Sequence, residues 1–197
     1  MRGPARRAVI EDAARAAFAE RGYQAVSMGE IAAAAGVTRS VLYDHASSKR
    51  ALFERLLRAE HEELTAMLAA TFADSGPLRD RLERAVGAFV DYVDAHPIAG
   101  RVIADEPFDD AELEDVRRAL HAQTKLALGA WIAADAAMPF DPRGPYERTL
   151  VDAVYGALVG IASSRRRTPR TRRATVVQAT VDVLWGGLSP LVHPPAA

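Results

Sequence analysis

The sequence predicts an all-α fold, on three observations. Ala, Leu, Arg and Glu dominate almost every segment, and these residues lose least on entering a helix. Apolar residues recur at three- and four-residue intervals, and no period-two run bounded by turn residues is found; even Val9 and Ile10 are adjacent. Capping residues precede several of these stretches, and Gly or Pro follows them. About nine helices are expected in the 197 residues.

The first helix runs from about Ala5 to Arg21, with Ile10, Ala13, Ala14, Ala17 and Phe18 on one face and Gly22 as its stop. Ser27 and Glu30 form a capping box, with Val26 and Ile31 at the positions of a hydrophobic staple, so a short second helix starts there and ends near Gly36. Thr38 offers an N-cap for a third helix from about Arg39 to His45, and Val37 and Leu42 repeat the staple. Two short helices around a Gly-containing turn make a helix-turn-helix, over about residues 27–46. A long helix follows from about Ser48 to Phe72. A fifth runs from about Pro77 to His96, and the short segment "IAGRVIADEPF" leads to a helix from about Asp109 to Ala137, with Asp109 and Glu112 as a cap-like pair. Two last helices, about Tyr146–Arg165 and Thr171–Leu188, complete the chain. The division expected is a head over 1–47 and a helical body over 48–197.

Charge is distributed unevenly although the formal net charge is only -1. Residues 1–58 hold ten bases and six acids, a net of +4, whereas the remainder holds 15 bases and 20 acids, a net of -5. A basic first module on an acidic body points to a nucleic-acid or other anionic partner for the head alone. Hydrophobic residues make up 49% of the chain and cysteine is absent, so neither disulfides nor thiolate metal sites contribute. No apolar run reaches the 18 or so residues of a membrane span, so the expectation is a cytoplasmic protein with no membrane partner.

With these features in order, the head resembles the DNA-binding domain of the TetR (tetracycline repressor) family of bacterial transcription regulators. The resemblance is carried by the "IA…AGV…LYDH…SK…LF" skeleton within "SMGEIAAAAGVTRSVLYDHASSKRALF", and its specific part covers about residues 5–60. It implies a three-helix DNA-binding head on a helical body that binds an effector and dimerises. Ser40 stands where the family often has Gly, and Ala46 where it commonly has an aromatic ring that fastens the third helix to the fourth. Phe53 or Tyr43 are the rings that could fill that space; the alternative is a looser head.

The first turn of the third helix supplies Arg39 and Ser40, with Asp44 one turn on from Ser40. Arg39 is the expected base reader, since a guanidinium matches the two acceptors of guanine. By the resemblance, Ser27, Thr38, Tyr43, His45 and Lys49 are backbone contacts that fix register on double-stranded operator DNA. Ser27 and Thr38 serve as caps in any case.

The last two helices are apolar on more than one side, which implies burial against a second surface. The resemblance assigns that surface to a homodimer interface, with Leu150, Val154, Leu158, Ile161, Val177, Val181, Leu184 and Trp185 as candidates; the competing reading is a monomer core. Helices five to seven are expected to enclose a cavity for an unknown small-molecule effector. Candidate lining residues are Phe89, Tyr92, His96, Ile103, Phe108, His121, Thr124, Trp131 and Tyr155, each with an ordinary core or surface role as its alternative. The expected ligand is apolar or aromatic with one or two hydrogen-bonding groups. The expected function is a repressor released from its operator by this ligand; the alternative is a regulator that answers to a protein partner or to no signal.

An enzyme is the rival from another class, but no nucleophile–base pair, metal spacing or phosphate loop is found, so no catalytic residue, cofactor or metal is expected. "DEPFDDAELED" is acidic as a helix start should be. "SSRRRTPRTRR" reads as a solvated link, and "HEEL" at His61 lacks the second His of a zinc-protease helix.

Overall fold

The structure, a computed structural model, describes residues 3–73, 75–104, 108–134, 141 and 144–192. Nine α-helices and no strand are found among these residues: α1 (Gly3–Ala25), α2 (Met28–Ala34), α3 (Arg39–His45), α4 (Lys49–Phe72), α5 (Leu78–Ala95), α6 (Pro97–Ile103), α7 (Ala111–Ala133), α8 (Pro145–Arg167) and α9 (Arg173–Val192). The caps read from the sequence are present. Ser27 and Glu30 close a reciprocal capping box, and the Thr38 and Ser48 hydroxyls accept from the backbone of Val41 and Ala51.

Three boundaries differ from expectation. Gly22, at φ 79°, kinks α1 instead of ending it, and one further turn reaches Ala25. The segment after His96 is helical, because Pro97 occupies a first-turn position where its missing N–H costs nothing. Asp110, not Asp109, caps α7 by accepting from the backbone of Glu112 and Leu113 at 3.1 Å each. The expected end of that helix, 135–137, lies outside the described residues.

Two apolar cores meet along α4. The head core is built on Ile10, Ala14 and Phe18 of α1, Ile31 of α2, Leu42 of α3 and Leu52, Phe53, Leu56 and Leu57 of α4. It also takes Ile98 and Val102 from α6 and Leu113 and Leu120 from α7, so the body completes it. The body core begins at Leu64 and Leu68 and gathers the inward faces of α5, α7, α8 and α9. Each fully buried Leu, Ile or Phe contributes roughly 1.5–3 kcal/mol. Two bidentate ion pairs fix α5 against the last two helices: Arg173 on Asp91 and Arg165 on Asp94.

Candidate nucleic-acid interface and effector cavity

The outer face of the head is formed by α3 and the start of α2. Gly36, at φ 64°, allows the tight turn between them. Arg39, Ser40, Tyr43 and Asp44 are exposed on α3, Thr38 is exposed at its cap, and His45 is half-buried. Ser27, Arg39, Tyr43 and Lys49 line one cleft together with Gly29. The Arg39 guanidinium rests on α2 at Gly29, where a Cβ would stand 2.4 Å from its Nη2. Any side chain at position 29 would therefore displace it. Hydrogen bonds from Ser27 and Arg21 hold the Glu30 carboxyl down at about 2, so the capping box is ionised at any physiological pH.

Lys49 has a second task. Its Nζ donates to the carbonyls of Tyr23 and Gln24 at 3.0 and 3.4 Å, capping the last turn of α1, and stands 4.3 Å from the centre of the Tyr23 ring. An ammonium has three donors, so one remains for a phosphate.

Ala46 is buried at the end of α3, in the same apolar core as Phe53. Tyr43 is 51% exposed, and Phe53 packs in a cluster with Phe18, Tyr23 and Phe108. A polar tie adds to this packing. Arg55 of α4 donates to the His45 carbonyl at 3.1 Å and to Glu11 of α1 at 2.8 Å, joining α1, α3 and α4.

Behind the head lies an apolar cavity between α4 and α8. Six of the nine candidates line it: Phe89, Tyr92, Ile103, His121, Thr124 and Tyr155. Leu57, His61, Leu64, Ala99, Val102, Leu120 and Leu158 complete the wall. The other three candidates lie elsewhere: His96 stacks on the far side of Tyr92, Phe108 joins the head-side aromatic cluster, and Trp131 stacks on Phe72. The free space is about 30 Å³, room for one or two waters, so a larger ligand requires the walls to part.

Two side chains from neighbouring helices grip the backbone of the α6 wall. The Glu60 carboxylate on α4 accepts from the Ala99 backbone N–H at 2.8 Å, and its other oxygen lies 3.7 Å from Arg15 of α1. At the opposite end, His121 of α7 donates to the Val102 carbonyl at 3.1 Å. Ala99, Val102 and Ile103 face the cavity, whereas Ile98 and Val102 belong to the head core and Arg101 donates to the Ala19 carbonyl of α1 at 3.4 Å.

Residues 10–56 match the model of the family described as "Bacterial regulatory proteins, tetR family". Over 190 residues the chain is 32% identical to the HTH-type transcriptional activator FasR of Mycolicibacterium smegmatis, covering 93% of this chain and 83% of that protein. The chain belongs to the TetR family. It is a DNA-binding transcription regulator. Its fold matches the fatty acid degradation regulator FadR of Bacillus halodurans, with a TM-score of 0.79 at 19% identity over 95% of this chain and 98% of that one. It also matches FadR of Bacillus subtilis, solved in complex with stearoyl-CoA, with a TM-score of 0.74 at 15% identity over 91% and 98% of the two chains.

In this TetR-family chain the eight candidates on α8 and α9 divide by their burial within the protomer. Leu158, Ile161, Val177 and Val181 are 7, 3, 6 and 2% exposed and join their own protomer's core, while Leu150, Val154, Leu184 and Trp185 are half-buried; Ile161 and Leu184 also line an outward groove. Both helices are apolar on two sides, and periodicity does not say which side faces inward. The outward side is a shallow groove of small and apolar residues, among them Ala157, Gly160, Thr175, Ala179 and Val183, the last 76% exposed. Two polar residues escaped the sequence reading altogether, Arg55 and Glu60, because a charged residue on a long helix ordinarily marks its solvated face.

Proposed function

We propose that the protein is a dimeric repressor that grips its operator through two α3 helices and leaves it when a small, largely apolar ligand enters the cavity. Residues 1–47 act as the DNA-binding head and 48–197 as the effector and dimerisation body. The outward α8–α9 groove, with Val183, Leu184 and the small residues around them, is the surface for the second copy, which sets two reading helices on successive major grooves. Arg39 reads a base; Ser27, Thr38, Tyr43 and Lys49 hold phosphates, and Ser40, Asp44 and His45 complete the face. The protein acts in the cytoplasm and by binding alone, in keeping with relatives that regulate transcription.

One observation carries this reading: α6 lines the cavity with one face and completes the head core with the other. A ligand that parts the cavity must push α6, and α6 cannot move without disturbing α1 and the head. Binding then favours one of two arrangements, the one with poorer head spacing for DNA. The test is to select duplexes that the protein retains from a random pool, then follow release of the best one by fluorescence anisotropy. Long-chain acyl thioesters come first, because a structural neighbour was solved with stearoyl-CoA. Equal ligand affinity with and without bound DNA would refute the coupling.

Activation is the second reading, favoured by the activator FasR. Placing the selected site upstream of and then across a reporter promoter separates the two: a repressor lowers expression from both positions.

A further inference from the structure

Five polar side chains line the cavity: His61, Tyr92, His121, Thr124 and Tyr155. Three are committed within the protein. The Tyr92 hydroxyl donates to the Glu60 carbonyl at 2.6 Å and the Thr124 hydroxyl to the Leu120 carbonyl at 3.1 Å. His121 spends the one proton of its neutral ring on the Val102 carbonyl, and its Nδ1 faces the Arg117 guanidinium at 3.5 Å. The His61 imidazole and the Tyr155 hydroxyl have no hydrogen-bond partner among the described residues, although Tyr155 is only 7% exposed. A donor on the cavity wall without a protein partner is open to a ligand atom that accepts from it.

Net charge is poorly received there. Among the described residues, the bases lining the cavity are His61 and His121. Burial pushes both below the ordinary imidazole value, helped by His121 in the first case and by Arg117 and Lys125 in the second. Both rings are therefore neutral at physiological pH. Two permanent cations border the site and each is already paired: Arg117 with Glu114 at 2.9 Å and Lys125 with Asp152 at 2.8 Å. A carboxylate carried into the cavity would lose its hydration without gaining a counter-charge.

We propose, on the ligand-binding reading above, that the cavity selects an uncharged apolar molecule bearing a carbonyl, such as an ester, thioester or ketone, whose oxygen accepts from Tyr155 and His61. The matching free acid is rejected. The apolar wall accepts the hydrocarbon part, and the two open donors fix its orientation.

The test titrates the full-length protein calorimetrically with a medium-chain methyl ester, the methyl ketone of equal length and the free acid, at about pH 8 so that the acid is ionised. The ester and ketone should bind, with the acid at least about tenfold weaker. Tyr155→Phe should weaken both neutral compounds by about five- to tenfold and leave the acid unchanged. An acid that binds as tightly as the ester overturns the proposal, and this comparison needs no variant. Unchanged ester affinity in a folded Tyr155→Phe protein overturns the role of that hydroxyl, and His61→Leu tests the second donor in the same way. If none of the three binds, the ligand class is wrong. If the neutral pair binds in the expected order without releasing DNA, the ligand class stands and the coupling of ligand to operator fails.

Discussion

Glu60→Gln should stabilise the protein at neutral pH and remove one component of its pH dependence. The Glu60 carboxyl is buried, with a side chain 4% exposed, and burial raises it from 4.5 to about 6 against the opposing pull of the Ala99 N–H and Arg15. A carboxyl bound more tightly to its proton in the folded state adds stability below its unfolded value, and that stability is lost as pH rises through about 6. The full difference is about 2 kcal/mol. Of this, about 1.3 kcal/mol should develop between about pH 8 and about pH 5. Gln keeps an acceptor for the Ala99 N–H at nearly the same volume and carries no charge to desolvate. It should therefore be more stable than wild type by about 2 kcal/mol at about pH 8, with the gap narrowing on acidification. His61 and His121, both lowered by burial, lose stability as pH falls through the same range, so the wild-type curve alone mixes opposing signs. The difference between the two proteins isolates Glu60. Urea unfolding at fixed protein concentration measures it. A gap that stays constant, or widens on acidification, would mean that the Arg15 contact outweighs burial.

Arg39→Ala should relax sequence preference at one operator position at a cost of about 1–3 kcal/mol for the preferred base, read by a binding selection. Lys49→Gln should instead weaken all sequences alike and reduce the slope of affinity against salt by about one phosphate's worth. Arg55→Met should destabilise the protein by about 1 kcal/mol through loss of the His45 cap, and weaken DNA uniformly as α3 loosens from α4; thermal unfolding and anisotropy separate the two effects. Val183→Glu, on a side chain 76% exposed, should leave the protomer folded and shift it to monomer in light scattering, because its cost appears only when a second surface covers it.

The parts of the fold legible in the sequence are those set by a few neighbouring residues. Ser27 with Glu30 closes the same box in a peptide as in the structure, so the start of α2 needed no tertiary knowledge. Asp109 and Asp110 each qualify as a cap for α7, and the choice depends on how the preceding chain arrives. The cavity was half legible because Phe89, Tyr92, Thr124 and Tyr155 lie on the inward stripes of their helices. His61 was missed because its neighbours Glu62 and Glu63 are exposed and place it, by sequence, on a charged face. Glu60 was missed for the same reason. It occupies the buried stripe of α4 between Leu57 and Leu64, and only the approach of the α6 backbone explains an acid there.

On the proposed coupling, that acid offers a route from so small a cavity to a distant face. Five of the seven α6 residues are buried, and two side chains from neighbouring helices also grip its backbone. One grip, His121, lines the cavity, and a ligand reaching Tyr155 must pass beside it. The other, Glu60, also lies near Arg15 of α1, so the hydrogen bond that fixes the start of α6 shares its carboxylate with the head. Because Ile98 and Val102 are members of the head core, moving α6 alters the packing beneath α1 as well as the angle of α4. Close-packed interiors shift between discrete arrangements and do not deform smoothly, so a displacement of one wall is carried to the head in full or not at all. The coupling is then expected to depend on how firmly Glu60 and His121 hold α6 as well as on how differently the ligand fits the two arrangements.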